Sequence, residues 1–347
     1  YLEQSRKMKL SELYWHRITP LHLILWPMSV IYGLFLRLKK LCYWLDIFPS
    51  VTLPVPVVIL DSISVDDGGK TPLLIWFVEE LTRQGYYPGI ITRGNSDNPG
   101  SPVAVNSSSD PSIVGAKTLF LAQRCENICP VWIGDDRVTT AQALLHAHPE
   151  CNILICNDGL HDYRLNRDLE IITVDFSGQS IGNGLVLPAG PLRTHPRSLK
   201  VIDFIATNGN NHHQIDTRQW RKTYPMKLIN EVAYQVLQPD SRTLISEFKH
   251  SKTQIVTDEN NAMRMFDLIQ SLKLNAELHT FSDNHRYGPA DLHFPDAEII
   301  LMPEEIALQC QQFAPQTLWV IPDNLWIDGA LFSNILRKLN HEKNELS

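Results

Sequence analysis

The chain has 347 residues, 44% of them hydrophobic and 20% charged, with a formal net charge of −7. That balance excludes a disordered polar chain and a globally basic nucleic-acid binder, and the length allows two domains with separate cores. The six cysteines (Cys42, Cys125, Cys129, Cys151, Cys156, Cys310) match neither a zinc ribbon nor a disulfide framework and read as small hydrophobes of a reducing compartment.

From Ile18 to Leu36 no residue carries a formal charge, and only His22 and Pro27 interrupt an otherwise apolar run. Arg6, Lys7, Lys9 and Arg17 precede it; Arg37, Lys39 and Lys40 follow. No A-x-A-like site comes after it, which argues against a cleaved signal peptide. Nineteen uncharged residues just reach across a bilayer. Pro27 and the cations on both sides fit better a helix lying in the interface, its Lys and Arg at anionic headgroups. Residues 1–50 are therefore expected to be a membrane-associating helical segment, the alternatives being a helix that spans the bilayer and one buried on the domain that follows.

After a proline-punctuated linker comes Val57-Val58-Ile59-Leu60, a β-branched apolar strand that runs through Asp61–Val65 into Asp66-Asp67-Gly68-Gly69-Lys70-Thr71-Pro72. A strand, a Gly-containing loop and Lys-Thr at a helix N-terminus make a phosphate cradle. Loop amides and the helix dipole favour the anion, Lys70 reaches the outer phosphates, and the Thr71 hydroxyl suits magnesium. A strict G-x-x-x-x-G-K-[ST] would place glycine where Ser64 stands, and Asp66 and Asp67 replace small neutral residues. Pro72 sits just inside the helix, whose Leu73, Leu74, Phe77, Val78 and Leu81 line one face as far as Gly85. Gly89–Thr92 is the next strand, completing a βαβ unit.

A polar loop from Asn95 to Ser112 contains a short strand at 103–105. A helix (113–124), a strand (131–133), a helix (138–147) and a very apolar strand (153–156) follow. That last strand ends in Asn157-Asp158-Gly159, where an acidic strand end suits magnesium opposite the phosphate loop. Strands at 170–174 and 201–207 extend an alternation that predicts a parallel sheet with helices on both faces and ligands at the strand C-termini. The polar run 208–216 marks a boundary, and its His212-His213 pair reads as loop histidines for want of a third ligand. A smaller α/β region follows, with strands at 232–237, 253–256, 276–281, 299–302 and 319–321 and helices at 262–272 and 330–339. The expected division is thus 1–50, 51–210 and 211–347.

Nearly the whole chain resembles the tetraacyldisaccharide 4′-kinases of lipid A synthesis in Gram-negative bacteria. The resemblance rests on Gly-Gly-Lys-Thr-Pro-Leu (68–73), Arg93-Gly94, Gly134-Asp135-Asp136-Arg137, Asp158-Gly159-Leu160 and Tyr163-Arg164-Leu165. It continues through Arg167–Glu170, Gly182-Asn183-Gly184, the unbroken Leu-Pro-Ala-Gly-Pro-Leu-Arg (187–193), and Phe281–Tyr287, which looks like the family's F-x-D-H-H-x-Y. It implies two α/β/α domains, the first a P-loop kinase core, acting at the cytoplasmic face of the inner membrane. The implied reaction is ATP- and Mg²⁺-dependent phosphorylation of the 4′-hydroxyl of a lipid A disaccharide precursor. Gly68, Gly69, Lys70 and Thr71 would hold the nucleotide, Thr71 and Asp158 the metal. Asp283 and His285 would serve the acceptor hydroxyl, and no nucleic acid is involved.

Several positions depart from the family's pattern. Asp66-Asp67 replaces most of G-G-T-G, Ala116 stands at the aspartate of V-G-D-E-P, Asn284 at the first histidine of D-H-H, and Asn157 at the first acid of D-D-G. Glu304-Glu305-Ile306 takes the place of E-K-D, and Asp258–Asn261 that of G-I-G-N-P. Loss of a catalytic base costs about 10²–10⁴ in rate. These substitutions raise an alternative, a catalytically impaired relative that binds lipid or a pathway partner.

Overall fold

A computed structural model describes residues 15, 18–65, 68–94, 100–176, 180–209, 215–220, 222–259, 261–282 and 285–345. The chain forms two compact units. The first comprises Tyr1–Val114, Leu121–Lys227 and Ile327–Ser347; the second comprises Gly115–Phe120 and Leu228–Trp326.

In the first unit, β1 (Val57–Ser62) is a fully buried strand between β5 (Ile153–Asn157) and β6 (Leu169–Asp175), parallel to both. Such a strand has no polar face to show, and its residues 57–60 are accordingly all apolar. The sheet continues through β2 (Pro88–Thr92) and β4 (Val131–Ile133) on one side and β7 (Phe204–Asn208) and β8 (Thr223–Ile229) on the other, all parallel. The short β3 (Val103–Val105) runs antiparallel at the β4 edge, and a last strand, Asn324–Ile327, lies beyond β8. Register pairs Leu60 with Asn157, so the C-terminal ends of β1 and β5 emerge side by side.

Helices occupy both faces, as the alternation predicts. The helix after β1, α2 (Lys70–Arg83), buries Leu73, Leu74, Phe77, Val78 and Leu81. The helix before β5, α5 (Arg137–Ala147), sets Val138, Ala141 and Leu144 against Val57, Ile59 and Ile91. Asp136 caps α5 by accepting from the Thr139 amide at 2.9 Å. All six cysteines are free thiols, and burial pushes Cys151 and Cys156 up to about 11.

The apolar N-terminal segment forms α1 (His22–Trp44) with Pro27 inside it. Among the described residues no helix is long and apolar enough to cross a membrane. Only His22 and Ser29 of α1 are buried; Leu23, Ile24, Trp26, Ile31, Leu34, Phe35 and Trp44 are exposed, Leu23 by 82%.

The second unit carries a six-stranded sheet in the order β10-β9-β14-β13-β11-β12: Gln238–Leu244, Val232–Gln235, Leu318–Ile321, Ile299–Pro303, Thr253–Asp258 and Ala276–Phe281. The four strands from β14 to β12 are parallel, and the β9–β10 hairpin closes one edge antiparallel. Its helix α6 (Ala262–Leu272) follows β11.

Three expected elements are corrected. The helix expected at 113–124 is split into α3 (Pro111–Val114) and α4 (Ala116–Cys125), because Gly115 takes a left-handed φ of 86° that no helix accommodates. The strand expected from Val201 begins at Phe204; Pro196–Val201 is instead a 3₁₀ turn opened by Pro196 and capped by His195. The last helix, α7 (Ala330–Glu345), runs beyond residue 339. His212 and His213 lie outside the described residues.

Candidate active site

Gly68 and Gly69 adopt φ of 58° and 79°, two consecutive left-handed residues that turn the chain from the β1 loop into α2. A Cβ at Gly68 would meet Ser62 Oγ at 3.2 Å, and one at Gly69 would meet Met226 Cε at 3.0 Å. Both space and backbone therefore require glycine. The curl directs backbone amides and the positive end of α2 to one spot, an anion cradle. Lys70 is the first helical residue and is 5% exposed; Thr71 follows, half-buried. Asp66 and Asp67 lie outside the described residues.

The end of β5 closes the cradle. Asp158 takes a left-handed φ of 59° while its amide donates to Leu60 O at 3.1 Å, which fixes the turn onto β1. That turn brings Asp158 Oδ1 to 2.5 Å from Lys70 Nζ and 2.9 Å from Arg193 Nη1. Arg193 Nη1 also donates to Asp61 Oδ1 at 3.1 Å. Two carboxylates and two cations thus share one cluster at the strand ends. Burial opposes ionisation of Asp158, but Lys70 and Arg193 outweigh it and hold its carboxyl below the usual range. Asp61 is shifted the other way, by burial first and then by the Asp158 charge, with Lys70 and Arg193 pulling back. Arg137 donates to the Asp158 carbonyl and stiffens the turn from the α5 side.

Asn157 donates through Nδ2 to Thr92 Oγ1 at 3.2 Å, and its Oδ1 is buried without a partner. A buried acceptor left open costs free energy unless something occupies it. Asn157 and Asp158 stand at the end of β5 and Thr71 in the first turn of α2, and oxygen donors of this kind suit a hard divalent cation.

The loop carrying Arg193 is fastened on both sides. The Arg193 amide donates to Ile63 O at 2.8 Å, and Val65 donates to Pro191 O at 3.0 Å, so the loop runs along the exit of β1. Asn183 Nδ2 donates to Ala189 O at 2.8 Å, and Leu187–Pro188 is cis. From α1, Ser29 Oγ donates to Val186 O at 2.6 Å and accepts from Ala189 N at 3.0 Å, while His22 Nε2 lies 3.1 Å from Ala189 O.

In the second unit His285 Nε2 lies 3.0 Å from Asp291 Oδ2, and its ring stacks on Phe281 with centroids 4.5 Å apart. Burial opposes ionisation of Asp291, but the Gly288 amide and His285 outweigh it and hold its carboxyl below the usual range. Asp283 and Asn284 lie outside the described residues. Ala116 opens α4, half-buried. Glu304 is buried and accepts from Tyr234 Oη at 3.0 Å and from the Asp323 amide at 3.3 Å.

The structure thus brings Gly68, Gly69, Lys70, Thr71 and Asp158 together in the first unit and places His285 in the second. Sequence alone assigns no site role to Asp61 or Asp291, and Arg137 enters only as the end of the Gly134-Asp135-Asp136-Arg137 motif. Asp61 carried one signal, a charge closing an apolar run; Asp291 carried none beyond lying six residues after His285.

Comparison with known proteins identifies the ancestry. The family model described as LpxK, tetraacyldisaccharide-1-P 4′-kinase, matches residues 21–340. The tetraacyldisaccharide 4′-kinase of Nitrosomonas eutropha is 40% identical over 335 residues, 96% of this chain and 85% of that protein. That of Azoarcus sp. is 35% identical over 334 residues, 96% of each chain. Among solved structures, LpxK from Aquifex aeolicus, described as an "apo" form in complex with ATP, superposes with a TM-score of 0.72 at 17% identity, covering 90% of this chain and 98% of that one. With a family model spanning almost its entire length and a relative 40% identical over 96% of it, this chain belongs to the tetraacyldisaccharide 4′-kinase family.

Proposed function

We propose that this chain transfers the γ-phosphate of ATP to the 4′-hydroxyl of a tetraacyldisaccharide 1-phosphate, the lipid A precursor on which the family acts. The observation that carries the reading is the Lys70–Asp158 pair, 2.5 Å apart between a helix N-terminus and a strand end, with the glycine turn beside it. Gly68 and Gly69 present amides to the phosphates, and Lys70 leaves Asp158 to neutralise the β- and γ-oxygens. Asp158, the Asn157 side-chain oxygen and Thr71 would hold magnesium, which would neutralise charge on the transferring phosphate. Asn157 is thus a working ligand, and its neutrality does not by itself argue for an inactive relative.

On the acceptor side Asp283 and His285 orient the sugar hydroxyl and take its proton, with Asp291 holding the His285 ring. The exposed apolar face of α1, a helix that also carries Arg37, Lys39 and Lys40, lies on the cytoplasmic face of the inner membrane, where an acylated substrate resides. Incubation with γ-labelled ATP, Mg²⁺ and tetraacyldisaccharide 1-phosphate in mixed micelles should yield a labelled bis-phosphorylated lipid. No labelled lipid at high protein concentration would refute the reading.

A further inference from the structure

Asp61 is 2% exposed, yet it carries a carboxylate in the wall of the phosphate site. Its Oδ1 accepts from the Ser62 amide at 2.7 Å and its Oδ2 from the Leu160 amide at 3.0 Å, so both oxygens are tied to backbone, one on β1 and one on the turn after β5. The side chain cannot move without breaking both bonds. A buried carboxylate also needs a cation. Arg193 Nη1 provides it at 3.1 Å, and the same nitrogen donates to Asp158 Oδ1 at 2.9 Å. Asp158 Oδ1 is in turn the oxygen that holds Lys70. Two carboxylates therefore compete for one guanidinium, and Lys70, which acts on both charges, is in hydrogen-bond contact with Asp158.

We propose that Asp61 is a positioning residue for phosphoryl transfer: by sharing Arg193 it keeps Asp158 from being neutralised twice over, so that Asp158 retains charge for the divalent cation. The inference rests on the kinase reading above. When Lys70 turns to the phosphates, Asp158 is left with a guanidinium that Asp61 half claims, and its carboxylate is open to the metal. Without the Asp61 charge, Arg193 belongs to Asp158 alone and competes with the metal for it. Because the Asp61 anchors are backbone amides, the arrangement is set before nucleotide arrives, at no reorganisation cost during the reaction.

The test follows binding of a fluorescent ATP analogue to the full chain as Mg²⁺ is raised, and reads two quantities. One is the Mg²⁺ concentration at half of the final binding; the other is the affinity at saturating Mg²⁺. Asp61→Asn, which keeps an amide acceptor but loses the charge, should raise the Mg²⁺ midpoint about tenfold and change the final affinity by less than about threefold. In an Arg193→Gln background the same substitution should shift the midpoint by less than about twofold, since the partner through which Asp61 acts is gone. Asp61→Glu, which keeps the charge, should hold the midpoint near that of the unmodified chain, and it serves as the decisive variant if Asp61→Asn melts below the assay temperature. Equal weakening by Asp61→Asn at every Mg²⁺ concentration would overturn the inference. So would an undiminished shift without Arg193, or a tenfold shift in Asp61→Glu. An unmodified chain that binds no nucleotide at any Mg²⁺ concentration overturns the kinase reading itself, and the inference with it.

Discussion

Replacing Lys70 with alanine acts on stability and on chemistry through the same atoms. The side chain is 7% exposed and its ammonium sits 2.5 Å from Asp158. Truncating one partner of a fully buried pair costs about 3–5 kcal/mol. Here the cost is smaller, because the Asp158 side chain is 30% exposed and keeps Arg193 at 2.9 Å, and because a buried ammonium no longer has to be desolvated. Adding the lost packing of the aliphatic stem, a net destabilisation of about 1–3 kcal/mol is expected. For a unit of a few hundred residues that lowers Tm by about 2–8 °C. Phosphate transfer should fall further than stability, by about 10²–10³ in kcat, the usual loss when one preorganised donor to the transferring group is removed. Differential scanning fluorimetry and the labelled-lipid assay read the two effects separately. Lys70→Met, which keeps most of the stem, should recover part of the Tm loss and none of the activity. A Lys70→Ala protein with unchanged Tm, or transfer within about threefold of the unmodified chain, would refute the cradle assignment, since about 1.4 kcal/mol separates each tenfold step.

Three further outcomes follow from the geometry. His161 lies beside Arg193, Lys39 and Arg167, and burial pushes its pKa from 6.5 down to about 4. Between these two values the unfolded chain binds a proton that the folded chain refuses, so stability should fall as pH drops from 6.5 toward 4, by about 2–3 kcal/mol in all. His161→Gln should flatten that slope in a melting series, and an unchanged slope would remove His161 as its cause. Asn157→Leu, which deletes the open Oδ1, should raise the Mg²⁺ needed for half-maximal transfer by about tenfold or more, with little change in the lipid KM. Leu23→Asp with Ile31→Asp, both on the exposed face of α1, should abolish sedimentation with anionic vesicles while Tm stays within about 2 °C; retained vesicle binding would exclude that face as the lipid contact.

How much of this was legible in advance follows from what each feature depends on. The spans of α6 and β12 and the buried face of α2 were read from local periodicity, because burying one stripe or one strand leaves a short-range pattern. The break at Gly115 was missed because an apolar pattern continues across it, and only the φ of 86° interrupts the helix. The strand expected from Val201 failed for a similar reason, since a proline-led 3₁₀ turn also places an apolar residue inward. In the site, Lys70 and Asp158 could be picked out from strand-end and helix-start grammar. Asp61 could not: its meaning comes from an arginine 132 positions away, delivered by a loop whose path no local pattern reveals. The roles of Arg137 and Asp291 are of the same kind, resting on bonds to neighbours that only the fold supplies.

The two buried residues of α1 stand seven positions apart, two helical turns, and both bond to the same loop. A helix held at one point can roll about its axis; held at two points on one side, it cannot. The direction of its exposed apolar face is therefore fixed, and an alanine inserted between His22 and Ser29 would rotate the remainder by about 100° and uncouple one of the two holds. If that face meets lipid as proposed, the loop they grip, which ends in Arg193, ties the height of that guanidinium to the depth at which the helix settles. On the proposed reading, immersion of the helix becomes a ruler: it brings the charge cluster to the level of the substrate headgroup while the acyl chains stay in the bilayer.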